Sequence, residues 1–346
     1  MIEAITKAAK FATGAAPINK SILISVKSGV ATVMGGNHSA FATFIEPTTH
    51  SDIEVCVEAS LMIQALKATS GRFTLNVRGA GCAVKNDHTS FFVPTYPVED
   101  FYIKPQPLPV ESQQVELTDD MIKYLLLISK TCGSDEYSPF KWIWAFSNDG
   151  KMSFVGGKPH SATFFDTTVP FTQDAAFFIP PKSIIHASPG DKMCSVSGDF
   201  ILSGPGQKIT WFSQMNWKAP DFKALLDSIT FNGPSIDTSR VDMAPIAQAL
   251  AAVPPNKATE WQTVSLDGEY AVWKNDDASA GVRTLFPLEG ANDFTAYMEV
   301  KSLLALVSCG PGIIRSSEHH MMFFGEKIRY MTTFSVKEFS IIKPGR

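Results

Sequence analysis

The chain has few charged residues and no hydrophobic segment long enough to cross a membrane. Charged side chains make up 18% of the 346 residues, against about a quarter in average soluble proteins, and the net charge is −4. Such a balance disfavours tight, non-specific adhesion to nucleic acid over the whole surface, although it is compatible with a local basic strip. No apolar run reaches about 18 residues, and the N-terminal segment lacks the apolar core of a signal peptide. We therefore expect a cytoplasmic protein without membrane contact.

Cysteine is scarce and shows no recognisable pattern. The five cysteines are odd in number and have the spacing of neither zinc ligands nor a disulfide framework, which is typical of buried thiols in a reducing compartment. The sequence also lacks a Gly-x-Ser-x-Gly nucleophile motif and a phosphate-binding loop. We predict a protein that is not an enzyme and that uses neither a metal nor a cofactor. The cysteines are Cys56, Cys82, Cys132, Cys194 and Cys309.

Two markers recur at even intervals along the chain. Three β-rich runs each close on an acidic residue and a phenylalanine, and these phenylalanines are 121 and 117 positions apart. Three serines, each followed by an apolar pair, keep step at intervals of 123 and 119 positions. Two markers that drift together indicate one unit used three times, and a unit of about 120 residues has the size of a domain. The markers are Phe101, Phe222 and Phe339, and Ser60, Ser183 and Ser302.

Each unit follows the same predicted plan of a helix, about three strands, a short helix and three or four strands. Turn signals such as Lys27-Ser-Gly29, Asn148-Asp-Gly150 and Asp267-Gly-Glu269 separate β-rich runs and predict hairpins. A helix with one apolar face has to pack on a sheet, so we expect two helices on one side of antiparallel sheets in each unit. The predicted fold class is therefore α+β, with three repeated domains at residues 1–106, 107–230 and 231–346.

Four segments carry a resemblance to a known family. They are Ile22–Gly29, Thr95–Phe101, Trp217–Leu226 with Phe212 before it, and Tyr330–Val336. In order and spacing they resemble the bacterial-type DNA polymerase sliding clamp, the β subunit and processivity factor of the replicative polymerase. The resemblance covers essentially the whole chain. It implies a head-to-tail homodimer that forms a six-domain ring around duplex DNA, with the helices inside and continuous sheets outside.

A sliding ring needs attraction to phosphates without readout of bases, which lysines on the inner helices provide. Singly, a helix lysine is more often part of a solvated face; together, and given the repeat, these lysines are predicted to face non-specifically bound double-stranded DNA. They are Lys7, Lys10, Lys67, Lys123, Lys130, Lys182 and Lys301.

The resemblance also implies a groove between the second and third domains that binds peptides of the polymerase and of the clamp loader. Where the family has Thr-Asp-Gly-His-Arg-Leu, this chain has Gly157-Lys-Pro-His160-Ser-Ala162, and residues 337–346 continue past the expected last strand. These departures would suit a divergent or phage-encoded clamp. A plain domain junction is the alternative interpretation of the groove, whose predicted lining is Gly157, His160, Ala162, Pro220, Leu225, Met331, Thr333, Phe334 and Val336.

By family position, Phe91 and Val93 of one protomer are expected to face Val253 and Pro254 of its partner. The alternative function is that of a clamp-fold or other β-repeat scaffold that does not tether DNA. A repeated-β enzyme acting on carbohydrates or nucleotides is a more remote possibility.

Overall fold

The structure is a computed structural model and describes residues 1–69, 73–101, 113–133, 138–158, 161–172, 176–212, 219–254, 263–267, 269–274, 281–290 and 294–334. The chain divides into two compact units, each built from two segments. Unit 1 comprises Met1–Ile122 and Ile185–Trp217, and unit 2 comprises Lys123–Ile184 and Lys218–Arg346.

The described residues form six α-helices and 23 strands. The helices are α1 (Ile2–Ala9), α2 (Ala59–Ala68), α3 (Asp119–Thr131), α4 (Phe222–Asp227), α5 (Ala244–Ala251) and α6 (Val300–Val307). The strands are β1 (Ser21–Lys27), β2 (Val30–Gly36), β3 (Ala40–Pro47), β4 (Ile53–Glu58), β5 (Thr74–Arg78), β6 (Gly81–Lys85), β7 (Ser90–Tyr96), β8 (Val115–Glu116), β9 (Ile143–Asn148), β10 (Lys151–Lys158), β11 (Ser161–Pro170), β12 (Phe177–Ile179), β13 (Lys192–Val196), β14 (Asp199–Gly204), β15 (Gln207–Trp211), β16 (Ser235–Asp237), β17 (Thr263–Asp267), β18 (Tyr270–Lys274), β19 (Gly281–Leu285), β20 (Thr295–Glu299), β21 (Ile313–Ser316), β22 (His320–Phe324) and β23 (Ile328–Thr333).

The elements repeat three times in the order helix, four strands, helix, three strands. In the second repeat the 3-10 helix Pro181–His186 stands where the first and third repeats have α2 and α6. In each repeat the first strand pairs with the second and the fourth, and the last three strands form a meander. The predicted α+β class with antiparallel sheets is confirmed, whereas the three domain boundaries stay a prediction.

Unit 1 contains one sheet of eleven antiparallel strands in the order β5-β6-β7-β4-β1-β2-β3-β15-β14-β13-β8. The first and second repeats join where Phe41 of β3 lies opposite Thr210 of β15. α1 packs against the sheet with its buried face, which includes Ile5 and Ala8. The core of this unit is therefore enclosed between helices and one face of the sheet.

Unit 2 contains an eight-stranded sheet and a four-stranded sheet, in the orders β12-β9-β10-β11-β23-β22-β21-β16 and β19-β18-β17-β20. The second and third repeats join where Ala162 of β11 lies opposite Met331 of β23. α5 and α6 contribute Leu250 and Leu303 to one buried apolar cluster with residues of both sheets. The longest described helix, α3, has 13 residues, and none of the described helices has the length and apolar character of a membrane span.

Several hairpin turns form where the sequence predicts them. Ser28 and Gly29 have φ values of 51° and 77°, and Asp149 and Gly150 have values of 51° and 75°. Two successive residues with positive φ are the signature of the tight turn that matches the twist of antiparallel strands. These turns fix the register of β1 with β2 and of β9 with β10, and therefore which side chains face the helices.

Candidate functional site

All seven predicted DNA-facing lysines lie on, or at the end of, helical segments. Six of the seven are exposed, and Lys7 of α1 is half-buried. Lys123 and Lys130 are seven residues apart on α3, so they share one face of that helix. α5 carries no lysine. The remaining positions are Lys10 at the end of α1, Lys67 in α2, Lys182 in the 3-10 helix and Lys301 in α6.

The positive charge on α1 is partly neutralised within the helix. The ammonium of Lys7 lies 2.7 Å from the carboxylate of Glu3, one turn earlier. The ring of His186 lies 5.1 Å from that of Phe11, and burial lowers the pKa of His186, with smaller contributions from the charges of Lys10 and Lys7. The lowered pKa favours the neutral form of His186, so the cation that is exposed at this helix end is Lys10.

The predicted groove residues of unit 2 fall on one face of the eight-stranded sheet and on α4. Gly157 lies opposite Ala162, and Ala162 lies opposite Met331, so these three side-chain positions share a face. Ala162 and Met331 are only 5% and 4% exposed, and Thr333 on the same face is half-buried. A partner would therefore meet Thr333 more readily than the two apolar residues.

α4 contacts this face of the sheet through its first residue. The ring of Phe222, the first residue of α4, meets the ring of Phe164 on β11 edge-on at 6.2 Å. The carboxylate of Asp221 accepts a hydrogen bond of 2.9 Å from the amide of Ala224 and caps the helix. Leu225 of the same helix is 41% exposed. Pro220 is half-buried next to the cap.

Two of the predicted lining residues have other structural roles. A Cβ atom at Gly157 would lie 2.1 Å from the carbonyl oxygen of Ser161, so the close approach of β11 requires glycine there. Phe334 is 6% exposed and belongs to the apolar cluster of the third repeat, where its ring contacts that of Phe294. His160 and Val336 lie outside the described residues.

The sequence analysis missed a charged pair on the same face. A guanidinium nitrogen of Arg329 lies 2.7 Å from a carboxylate oxygen of Asp166, and the guanidinium lies 5.4 Å from the centre of the Phe164 ring. The pair links β11 to β23 next to the aromatic contact that positions α4. Arg329, Met331 and Thr333 are two positions apart along β23 and therefore share one face of the strand. This spacing could have added Arg329 to the predicted groove residues.

The four predicted dimer residues differ in accessibility. Val93 is fully buried and Val253 is 8% exposed, while Phe91 is half-buried and Pro254 is exposed. Sequence reasoning did not single out two further exposed apolar residues. They are Phe92 of β7, the strand of Phe91 and Val93, at 60% exposure, and Leu285 of β19, at 50%.

None of the five cysteines, all of which lie in the described residues, forms a disulfide. Burial raises the pKa of Cys132 and of Cys309 to about 12, and that of Cys56 to about 11. Thiols of such high pKa are poor nucleophiles because the thiolate is the reactive form. Within the described ranges, His, Cys, Asp and Glu form no group of three that could hold a metal ion.

Comparison with known proteins gives one consistent result. No protein-family model matches the chain, and no curated protein sequence matches it. Solved structures do match the chain. DNA polymerase III β of Caulobacter crescentus has a TM-score of 0.81 at 13% identity, over 96% of this chain and 97% of that one. The chain has the sliding-clamp fold.

Two further structures with the sliding-clamp fold carry ligands. The β clamp of Helicobacter pylori bound to a DNA ligase peptide has a TM-score of 0.79 at 11% identity, over 96% of this chain and 97% of that one. The clamp of Pseudomonas aeruginosa bound to griselimycin has a TM-score of 0.77 at 13% identity, over 97% and 96%. The predicted resemblance to sliding clamps is thus confirmed at the level of the fold.

Proposed function

We propose that this protein is a DNA sliding clamp that encircles duplex DNA and tethers a replicative polymerase and other partners. The observation that carries the proposal is the match of nearly the entire chain to solved clamps, and the threefold repeat of helix and strand order within the chain supports it. Sliding clamps act as topological tethers and not as catalysts, and the proposed function requires no catalytic group.

The exposed lysines support the DNA-binding part of the proposal. Exposed ammonium groups on helices attract phosphates without reading base edges, so a protein held this way can move along the duplex. Each phosphate contact releases counterions, which makes such binding weaker as salt rises. A chain with net charge −4 gains this attraction only where basic residues face the DNA, and the helices proposed to line the ring carry the seven predicted lysines.

The strand pairing supports a head-to-tail dimer. The third strand of the first repeat pairs with the last strand of the second, and the third strand of the second repeat pairs with the last strand of the third, as β3 with β15 and β11 with β23. In the described residues the outer edge of β19 has no partner, and Ser90–Pro94 of β7 pair with β6 alone. Pairing β19 of one protomer with β7 of the next would continue the same pattern and close a ring.

The face formed by Ala162, Met331, Thr333 and α4 is the proposed binding site for partner peptides. The Helicobacter pylori clamp is bound to a peptide of DNA ligase, which supports a peptide-binding role for a chain of this fold. Leu225 offers an exposed apolar contact, and the half-buried Thr333 is the more accessible of the strand residues on this face. A short peptide with leucine or phenylalanine anchors fits this surface, because a few buried anchors dominate such interfaces.

The proposal is tested by topology. Once loaded by its clamp loader, the protein should stay on a closed circular plasmid and be lost when a single restriction cut makes the plasmid linear. The replacement of Lys10, Lys67 and Lys123 by glutamate should reduce loading, while the same change at Lys20, which lies outside the predicted set, should not. Equal retention on circular and linear DNA would contradict the clamp proposal and favour a scaffold without DNA tethering.

A further inference from the structure

The second and third repeats each have a short strand that covers one edge of the final meander. β8 precedes α3 and pairs with β13, and β16 precedes α5 and pairs with β21. β13 and β21 are the fifth strands of their repeats, and in both cases the short strand is the end of its sheet. The covering strand is therefore a regular part of the repeat where it occurs.

In the first repeat the strand that corresponds to β13 and β21 is β5, and β5 is itself the last strand of its sheet. Within the described ranges no strand pairs with the outer edge of β5. In that part of the chain the edge therefore presents backbone amides and carbonyls without a partner strand, an arrangement that readily accepts another strand.

Burial in the three repeats shows what the covering strand does. Met193 of β13 and Ile314 of β21 lie opposite Val115 and Ile236 of their covering strands, and both are fully buried. On β5, by contrast, Val77 is 42% exposed although it lies opposite the fully buried Cys82.

Leu75 repeats the pattern at the other end of β5. It is only half-buried, although it lies opposite the fully buried Val84. Leu75 and Val77 therefore extend the buried apolar positions of Val84 and Cys82 to the edge strand, where the two side chains are partly exposed.

The two covering strands also define the chemistry of what fits such an edge. In the first, Val115 and Leu117 are buried at alternate positions, and the exposed residue between them is Glu116. In the second, Ile236 is buried between Ser235 and Asp237, which are half-buried. Both patterns set aliphatic residues toward the core and an acidic residue toward the outer face. On that outer face β5 carries the exposed Arg78, an appropriate partner for an acidic residue.

We propose that the edge of β5 is a second docking site, which binds an extended segment of a partner protein as an added antiparallel strand. The segment has two aliphatic residues at alternate positions with an acidic residue between them. Backbone hydrogen bonds to β5 provide the affinity, and coverage of Leu75 and Val77 provides the selectivity. This site does not depend on the peptide groove beside α4 or on the DNA-facing helices.

The test uses a peptide copied from the chain's own first covering strand. A fluorescein-labelled peptide with the sequence of residues 113–118, Gln-Gln-Val-Glu-Leu-Thr, should bind the full-length protein saturably in fluorescence anisotropy. A control peptide with aspartate in place of both aliphatic residues should not bind. In hydrogen-exchange mass spectrometry the amides of Thr74–Arg78 should gain protection on addition of the first peptide, and those of Lys192–Val196 should not. Protection of Lys192–Val196 alone, by exchange with β8, would overturn the proposal.

Three variants separate the site from its alternatives. Val77→Glu should weaken peptide binding by about tenfold or more, because the added strand would bury an unpaired charge. Val30→Glu, at a residue of β2 that is 44% exposed, should leave binding unchanged. Leu225→Asp should also leave it unchanged, so that failure of the groove and failure of this site are distinguishable. Equal binding by all three variants would overturn the proposal. It would also be overturned if Thr74–Arg78 were protected in the free protein and lost this protection on dilution, because that result would indicate a second copy of the chain on this edge.

Discussion

Glycine pairs explain how closely the elements of the first two repeats pack. A Cβ atom at Gly35 would lie 2.4 Å from the carbonyl oxygen of Ala8, and one at Gly156 would lie 2.5 Å from the side chain of Ile128. Each glycine thus lets the first helix of its repeat approach the second strand, and the glycine that follows, Gly36 or Gly157, lets the third strand approach. The sequence contains both Gly-Gly pairs, but only the structure shows that they serve the same purpose.

The predicted change is that Gly35→Ala destabilises the protein by about 1–3 kcal/mol, because α1 would have to move away from the sheet. Gly133→Ala is the matched control: its Cβ would lie 3.6 Å from the nearest atom, at ordinary contact distance, so we expect an effect within about 0.5 kcal/mol. Differential scanning calorimetry of both variants measures the difference. Equal midpoints for the two would show that the helix accommodates the methyl group without cost.

At the level of single side chains, burial is the feature that the sequence leaves open. Val93, which family position puts in the dimer contact, is fully buried within the protomer, whereas Phe92 next to it is 60% exposed; the dimer contact itself stays a prediction. In a strand a shift of one residue reverses the face, so a resemblance of low identity leaves this choice open. The pair of Arg329 and Asp166 was missed because it joins residues 163 positions apart in two repeats.

At the scale of elements, the repeated phenylalanine marker has a physical basis. Phe101 packs on Phe41 of β3 at 6.4 Å, and Phe222 packs on Phe164 of β11 at 6.2 Å. Each of these two phenylalanines therefore packs the end of its repeat against the third strand of the same repeat. The turn signals at Ser28-Gly29 and Asp149-Gly150 were predictable because positive φ favours particular residues. The change from α-helix to 3-10 helix at Pro181–His186 has no comparable signal.

The predicted effect of Leu225→Asp concerns α4 as a partner-binding element. If the proposed function holds, the substitution should abolish stimulation of the tethered polymerase, because a charge replaces the exposed apolar contact of the proposed peptide site. Stability should stay within about 0.5 kcal/mol, since the side chain is 41% exposed. Ile45→Asp, at a residue 46% exposed on β3, is the control and should retain stimulation. Primer extension on a loaded circular template measures both, and normal extension by the Leu225 variant would remove α4 from the partner site.

At the scale of the whole molecule, the threefold repeat was predictable because marker spacing survives where identity to known clamps does not. Identity of 11–13% to the solved clamps leaves mainly patterns, such as apolar alternation and turn residues, that specify the same fold. The edges of β5 and β19, which lack a partner strand within the described residues, could not be predicted, because an edge depends on which strand lies beside it in space. These edges distinguish the three repeats from one another, and they are the positions at which we propose that strands of other chains pair.

Assembly depends on the edges of β7 and β19. If these strands pair between protomers, Phe91→Asp and Leu285→Asp should each convert the dimer to monomers of 37.7 kDa at micromolar concentration, because each places an unpaired charge in the contact. Leu127→Asp, at a residue of α3 that is 38% exposed, should remain dimeric. Analytical ultracentrifugation across a concentration series measures the masses. A ring of unlike edges requires both substitutions to act, so dissociation by only one of them would indicate a different partner for the other edge, and dissociation by neither would exclude this contact.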